Sequence, residues 1–146
     1  MKELVIPSKN KSILFLCTGN SCRSQMAEGL GRKILKNFNV SSAGTNPENV
    51  NINAINSMME IGIDISNYKS KKISIEKINN FDLVITLCGD AKDKCPIINS
   101  KKHIHWPIKD PSKFKGNHRQ IMFGFSKVRD LIERKIIDLN ENINFN

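Results

Sequence analysis

Two nearly unbroken apolar runs, Ser12-Ile13-Leu14-Phe15-Leu16 and Leu83-Val84-Ile85-Thr86-Leu87, limit the possible folds more than any other feature. A strand wetted on one face alternates polar and apolar residues; a strand covered on both faces does not. Both runs are therefore expected inside a parallel sheet. Around them the apolar period becomes helical. Met26, Leu30, Ile34 and Phe38 recur every four residues, with Ala27 and Leu35 beside them, which predicts an amphipathic helix over about 24–38. Val40 to Gly44 reads as a second strand. Ile52, Ile55, Met58, Met59 and Ile63 mark a second helix, stopped by Gly62. His103 to Trp106 reads as a fourth strand, preceded by a short helix. Phe125, Val128, Ile132, Ile136 and Leu139 predict a long final helix. The alternation implies an α/β fold in three layers, a four-stranded parallel sheet with helices on both faces.

At 146 residues the chain has the length of one domain. Residues 1–11 are expected to be a short N-terminal extension and 12–146 a single domain, without repeats, linkers or low-complexity tracts. No apolar run nears the roughly 20 residues that span a bilayer. Leu4-Val5-Ile6 before Pro7 is too short for the apolar part of a signal peptide. A cytoplasmic, monomeric protein is expected, with no membrane association.

The formal charge is +9, which raises nucleic acid as a partner. The excess is spread over Lys-rich surface segments, and no helix carries a basic stripe. Only nine aromatics are present, and the phenylalanines sit mostly in apolar runs, so there is no platform on which bases could stack. No nucleic-acid partner is expected. Attraction of a small anion fits the charge better.

Four cysteines stand at 17, 22, 88 and 95. A cytoplasmic chain keeps thiols reduced unless they are catalytic or redox-sensing. The spacings, Cys17-x4-Cys22 and Cys88-x6-Cys95, do not suit structural zinc, which favours pairs two to four residues apart. His103 and His105 share one face of a strand, but no third ligand is spaced near them or His118. No metal site is expected.

The chemistry concentrates in Cys17-Thr18-Gly19-Asn20-Ser21-Cys22-Arg23-Ser24, which joins a buried strand to a helix. Such a loop can turn successive N–H groups toward one centre and form an anion cradle. Gly19 is expected to take a positive φ. The helix start adds unpaired N–H groups and its positive dipole end. Arg23 offers a planar fork matching two oxygens of a tetrahedral oxyanion. Thiols beside cations and helix N-termini ionise readily. Cys17 is therefore expected to be a thiolate nucleophile, with Ser24 donating to its sulfur. Asp110, stiffened by Pro111, is expected above the loop. A carboxyl near a bound anion favours its protonated form and can serve as a general acid.

Cys17 to Glu28 (Cys-Thr-Gly-Asn-Ser-Cys-Arg-Ser-Gln-Met-Ala-Glu) resembles the phosphate loop of the low-molecular-weight tyrosine phosphatase fold, and the fuller match is to its thioredoxin-coupled arsenate reductase branch. Ser42-Ala43-Gly44, Gly62-Ile63-Asp64-Ile65-Ser66, Leu87-Cys88 with Cys95-Pro96, His105-Trp106, Asp110-Pro111 and Val128-Arg129-Asp130 agree with that branch. The resemblance covers residues 12–138. It implies reduction of arsenate to arsenite, with Cys17, Arg23, Asp110, Cys88 and Cys95 catalytic and Thr18, Gly19, Asn20, Ser21, Cys22, Arg23 and Ser24 holding the oxyanion. It also implies a Cys17–Cys88 and then a Cys88–Cys95 disulfide, reduced thioredoxin as electron donor, and no bound cofactor.

Seven residues of helix rise about 10.5 Å, whereas disulfide-linked Cα atoms lie within roughly 7 Å. Cys88 and Cys95 can join only if the segment between them bends, so it is expected to be a redox-switched flap. Cys22 has no assigned step. Family members hold potassium beside the residues matching Asn20, Glu28 and Ser42; the acidic residue completing that site aligns with Lys71 here, so no potassium dependence is expected. The alternative is a low-molecular-weight protein-tyrosine phosphatase using the same Cys17, Arg23 and Asp110. Such enzymes usually place tyrosines after Asp-Pro; here Ser112-Lys113 follows and the sole tyrosine is Tyr68. Weak phosphatase side activity is expected in either case.

Overall fold

The computed structural model describes residues 11–89 and 102–143. The expected N-terminal extension, apart from Lys11, lies outside the described residues, as do Cys95 and the short helix before the fourth strand. The elements in order are β1 (Ser12–Cys17), α1 (Arg23–Ile34), β2 (Asn39–Gly44), α2 (Ile52–Met59), α3 (Ile75–Ile78), β3 (Leu83–Cys88), β4 (His103–Ile108) and α4 (His118–Asn142), with a 3₁₀ turn at Pro111–Lys113 before α4.

All pairings are parallel and the strand order is β2-β1-β3-β4. The two apolar runs are the central strands, which explains their lack of alternation. Ile13, Phe15, Ile85 and Leu87 face one core with Met26, Leu30, Phe125 and Ile132 from the helices. Leu14, Leu16 and Val84 face a second, smaller core with Ala43 and Ile78, flanked by Ile73 and Phe81. The expected three-layer architecture is thus present.

Boundaries differ from expectation where local chemistry overrides the apolar period. Helix α1 stops at Ile34, because Leu35 leaves helical geometry (ψ 64°) while its N–H closes on the Gly31 carbonyl at 2.7 Å. Helix α4 begins at His118, ahead of its apolar stripe, because Asn117 and Gln120 cap it reciprocally, each side chain accepting from the other's backbone N–H at 2.9 Å. β4 runs on through Pro107, which an edge strand tolerates. Four-residue α3 was not expected; Ser74 caps it, accepting from Lys77 N–H.

The strand order reverses direction between β1 and β3, and ligands of open parallel sheets bind beyond the carboxyl ends of strands at such a point. β1 ends at Cys17 and β3 at Cys88, and β4 leads into Asp110. The fold therefore brings Cys17, Cys88 and Asp110 to one edge.

Opposite that edge's chemistry, α4 is tied to α2 by Arg129. Its Nη1 donates to the Ser57 carbonyl at 2.7 Å and to Glu60 Oε1 at 2.8 Å, and its Nε to Asp130 at 2.9 Å. Arg129→Ala would strand a buried carbonyl and two carboxylates. It should cost about 1–3 kcal/mol, read as a lower urea midpoint with an unchanged m-value.

Candidate active site

The loop between β1 and α1 is fixed from outside. The carbonyls of Thr18, Gly19 and Ser21 accept from the N–H groups of Asn46, Glu48 and Asn51 at 2.8–2.9 Å. In a trans peptide the C=O and N–H point opposite ways, so these bonds turn the joined amides toward the loop's interior. The first turn of α1 has no side-chain cap, which leaves its N–H groups for an anion. The end of β2 passes directly beneath: a Cβ on Gly44 would stand 2.5 Å from the Thr18 carbonyl oxygen.

The positive φ falls on Asn20 (48°), not on Gly19 as expected. Asparagine tolerates the left-handed region because its short amide bonds locally. Here that amide is fully used. Asn20 Oδ1 accepts from Lys71 N–H at 2.8 Å and from Gln25 Nε2 at 3.0 Å. A backbone N–H can only donate, which fixes the amide's orientation. Asn20 Nδ2 then donates to Ser24 Oγ at 2.8 Å and Ser42 Oγ at 2.9 Å. Ser24 Oγ accepts from Asn20, and its hydroxyl lies 2.9 Å from Cys17 Sγ, within hydrogen-bond reach of the sulfur.

Arg23 is 2% exposed. Its Nη1 donates to the Leu87 carbonyl at 3.1 Å and the Ile108 carbonyl at 2.9 Å, anchoring the guanidinium to the ends of β3 and β4. Its Nη2 lies 3.6 Å from Asp110 Oδ2. Asp110 Oδ1 accepts from the N–H (3.0 Å) and hydroxyl (2.7 Å) of Ser112. Oδ2 is therefore the oxygen turned toward Arg23. Cys17, Thr18, Gly19, Ser21, Cys22, Arg23 and Asp110 line one cavity of about 150 Å³. Asn20 and Ser24 stand behind it, bracing the loop.

Cys22 lines the same cavity, yet burial pushes its thiol up to about 12, with Asp110 and Cys17 adding to the rise and Ser21 and Arg23 opposing it. It is a poor nucleophile, as its lack of an assigned step requires. Cys17 and Cys22 are free thiols, whereas Cys88 is disulfide-bonded. His103 and His105 both bond the Thr86 hydroxyl, at 3.0 and 2.6 Å. Among the described residues no three His, Cys, Asp or Glu side chains cluster to hold a metal ion.

Glu28, 3% exposed, is neutralised by the chain's own cations. Arg32 pairs with Oε2, Lys71 Nζ lies 3.6 Å from Oε1, and Ser42 donates to Oε1 at 2.6 Å. Tyr68 lies apart from the cavity, its ring under the Arg32 guanidinium, and burial raises its phenol above the ordinary range. Sequence reasoning missed Glu48, which reaches the cavity rim with Ser112 and Lys113. It sits in the polar stretch after β2, and only the tertiary bond from its N–H to Gly19 reveals its place.

A parallel sheet of this order with a Cys-x5-Arg-Ser loop at its reversal point defines a class. The chain belongs to the low molecular weight phosphotyrosine protein phosphatase family, whose pattern matches residues 12–146. Within that family it is similar to arsenate reductases. It is 47% identical over 135 residues to arsenate reductase of Bacillus subtilis (strain 168), covering 91% of this chain and 97% of the relative. It is 49% identical over 128 residues to that of Shouchella clausii (strain KSM-K16), covering 86% and 92%. An arsenate reductase solved in the phosphate binding state superposes with a TM-score of 0.74 at 31% identity, over 92% of this chain and 99% of that one. No helix among the described residues is long and apolar enough to cross a membrane.

Two outcomes follow from this geometry. The neutral Cys22 thiol of the folded state has its pKa raised from 9.0 to about 12, so its contribution to stability is intact below pH 9 and is lost as pH climbs from 9 to 12. Urea titrations of wild type and Cys22→Ala should show the wild type losing the more stability across that window. With Lys71 standing beside Glu28, melting temperatures in KCl and NaCl at equal ionic strength should coincide. A selective rise in potassium would contradict this.

Proposed function

We propose that this protein reduces arsenate to arsenite by a three-cysteine relay. The observation that carries the reading is that Cys17, Arg23 and Asp110 line one cavity, with the Ser24 hydroxyl 2.9 Å from the Cys17 sulfur and the strand adjacent to β1 ending in Cys88. Thr18, Gly19, Asn20, Ser21, Cys22, Arg23 and Ser24 form or brace the oxyanion site. The Cys17 thiolate attacks arsenic, an arsenic–oxygen bond breaks, and Asp110 protonates the oxygen that leaves as water. Cys88 then attacks the Cys17 sulfur. The sulfur–arsenic bond breaks, its electron pair stays with arsenic, and arsenite departs. Cys95 attacks Cys88, which releases the Cys17 thiolate and forms the Cys88–Cys95 disulfide. Reduced thioredoxin supplies the two electrons that reopen it.

In β1 and β3, Leu16 aligns with Thr86, and Cys17 shares a sheet face with Phe15 and Leu87. The β3–β4 register is irregular between Thr86 and Cys88, at the point where the proposed redox-switched flap from Cys88 to Cys95 begins. No bound cofactor or metal has a step in this scheme, and the proposed site of action is the cytoplasm, where thiols stay reduced, with the chain acting as a monomer.

The phosphatase reading shares Cys17, Arg23 and Asp110 and is favoured by the family pattern alone; it gives Cys88 nothing to do. Arsenate-dependent NADPH oxidation with thioredoxin and thioredoxin reductase separates the two. Cys17→Ser should abolish both arsenate turnover and p-nitrophenyl phosphate hydrolysis. Cys88→Ser and Cys95→Ser should lose multiple turnover, by at least a hundredfold, and keep the slow ester hydrolysis. Full arsenate turnover in Cys88→Ser would refute the relay.

A further inference from the structure

The cavity floor collects positive character, yet its rim carries a carboxylate. Glu48 N–H donates to the Gly19 carbonyl at 2.8 Å, and the Glu48 carbonyl accepts from the Ser70 hydroxyl. Those two backbone bonds hold the residue alongside the loop. Its side chain lies over Gly19: Cγ, Cδ and Oε1 are 3.7–3.8 Å from where a Cβ on Gly19 would stand. The side chain is exposed, and no cation among the described residues pairs with it. Lys113, also exposed, lines the same rim.

A bare tetrahedral oxyanion occupies only the floor and leaves both rim charges in water. An ester is different, because its substituent must leave the cavity through the rim. An aryl group there would strip water from Glu48 and return no hydrogen bond, and burying an unpaired charge is costly. An acidic peptide would add repulsion between like charges.

We propose that Glu48 is a specificity-determining residue, which rejects phosphate esters with aryl or acidic substituents and so reserves the site for unsubstituted oxyanions. This rests on reading Cys17, Arg23 and Asp110 as an oxyanion site, and it deepens that reading by stating what keeps the shared phosphatase machinery from its usual substrates.

The test uses Glu48→Gln and Glu48→Leu in the full chain, with p-nitrophenyl phosphate as ester and inorganic phosphate as competing oxyanion. In Glu48→Leu, kcat/KM for the ester should rise at least fivefold more than the affinity for phosphate, with a smaller gain in Glu48→Gln. Equal gains for ester and phosphate would reduce Glu48 to a general electrostatic brake and overturn the proposal. So would unchanged ester hydrolysis, or none in any of the three proteins. Arsenate reduction by the same proteins is scored separately: its absence from wild type would sink the reductase reading while the ester-to-phosphate comparison still decides the role of Glu48.

Discussion

Everything at the catalytic edge depends on the side-chain amide of Asn20. It is buried, sits at a left-handed φ, and makes four hydrogen bonds whose directions are mutually consistent. The Lys71 backbone N–H sets which end of the amide is oxygen. That choice makes Nδ2 the donor to Ser24, which leaves the Ser24 proton free to serve Cys17, 2.9 Å away. A hydroxyl held against the sulfur needs no rearrangement when charge develops there. Replacing the amide by a group without both donor and acceptor would free Ser24 to rotate, so the geometry at Cys17 is set through three hydrogen bonds that begin at the Lys71 backbone.

The other branch of that network ends on Glu28, a buried carboxylate that would be costly alone. Arg32 from the same helix, Lys71 from the segment before α3, and the Ser42 hydroxyl at the end of β2 share its charge. The same segment that supplies Lys71 also donates its backbone N–H to Asn20 and, through Ser70, binds the Asn20 carbonyl at 2.7 Å. Charge neutralisation and loop bracing are thus done by one stretch of chain. A lysine here makes the cation covalent, so the brace does not depend on an ion binding from solution.

The central strands were readable from sequence because burial on both faces leaves no alternation to confuse. Cys17, Arg23 and Ser24 were readable because their spacing has a chemical purpose, and Asp110 through the family resemblance; Cys17, Arg23 and Asp110 line one cavity, with Ser24 behind it. What the sequence concealed depends on contacts distant in the chain. Asn20 rather than Gly19 takes the left-handed conformation because its amide finds partners at Gln25, Ser42 and Lys71, which no local rule foretells. The early start of α4 was written in Asn117 and Gln120, but the apolar stripe, beginning at Phe125, drew attention past them. Helix α1 was drawn too long because Phe38 keeps the four-residue period after the chain has already turned at Leu35. Glu48 carries no motif; its role at the rim exists only because its backbone is bonded to the loop it overlooks.

Phosphatase and reductase chemistry differ here by what stands around a shared centre. Attack by Cys17 and proton delivery from Asp110 serve either reaction, and Arg23 is bolted to the carbonyls of Leu87 and Ile108, so the centre cannot be tuned without moving β3 and β4. Selection must then come from the periphery. One peripheral element is chemical: in the proposed relay, the cysteine at the end of β3, the strand adjacent to β1, gives a sulfur-bound arsenic somewhere to send its sulfur while arsenic keeps the electrons. Phosphorus has no accessible lower state in such a step, so the same neighbour does nothing for a phosphocysteine. The second element is physical, a rim whose charges are cheap to leave in water and expensive to cover. On the proposed reading, the two together make a small reducible oxyanion the substrate that the surroundings favour, while the centre itself remains indifferent.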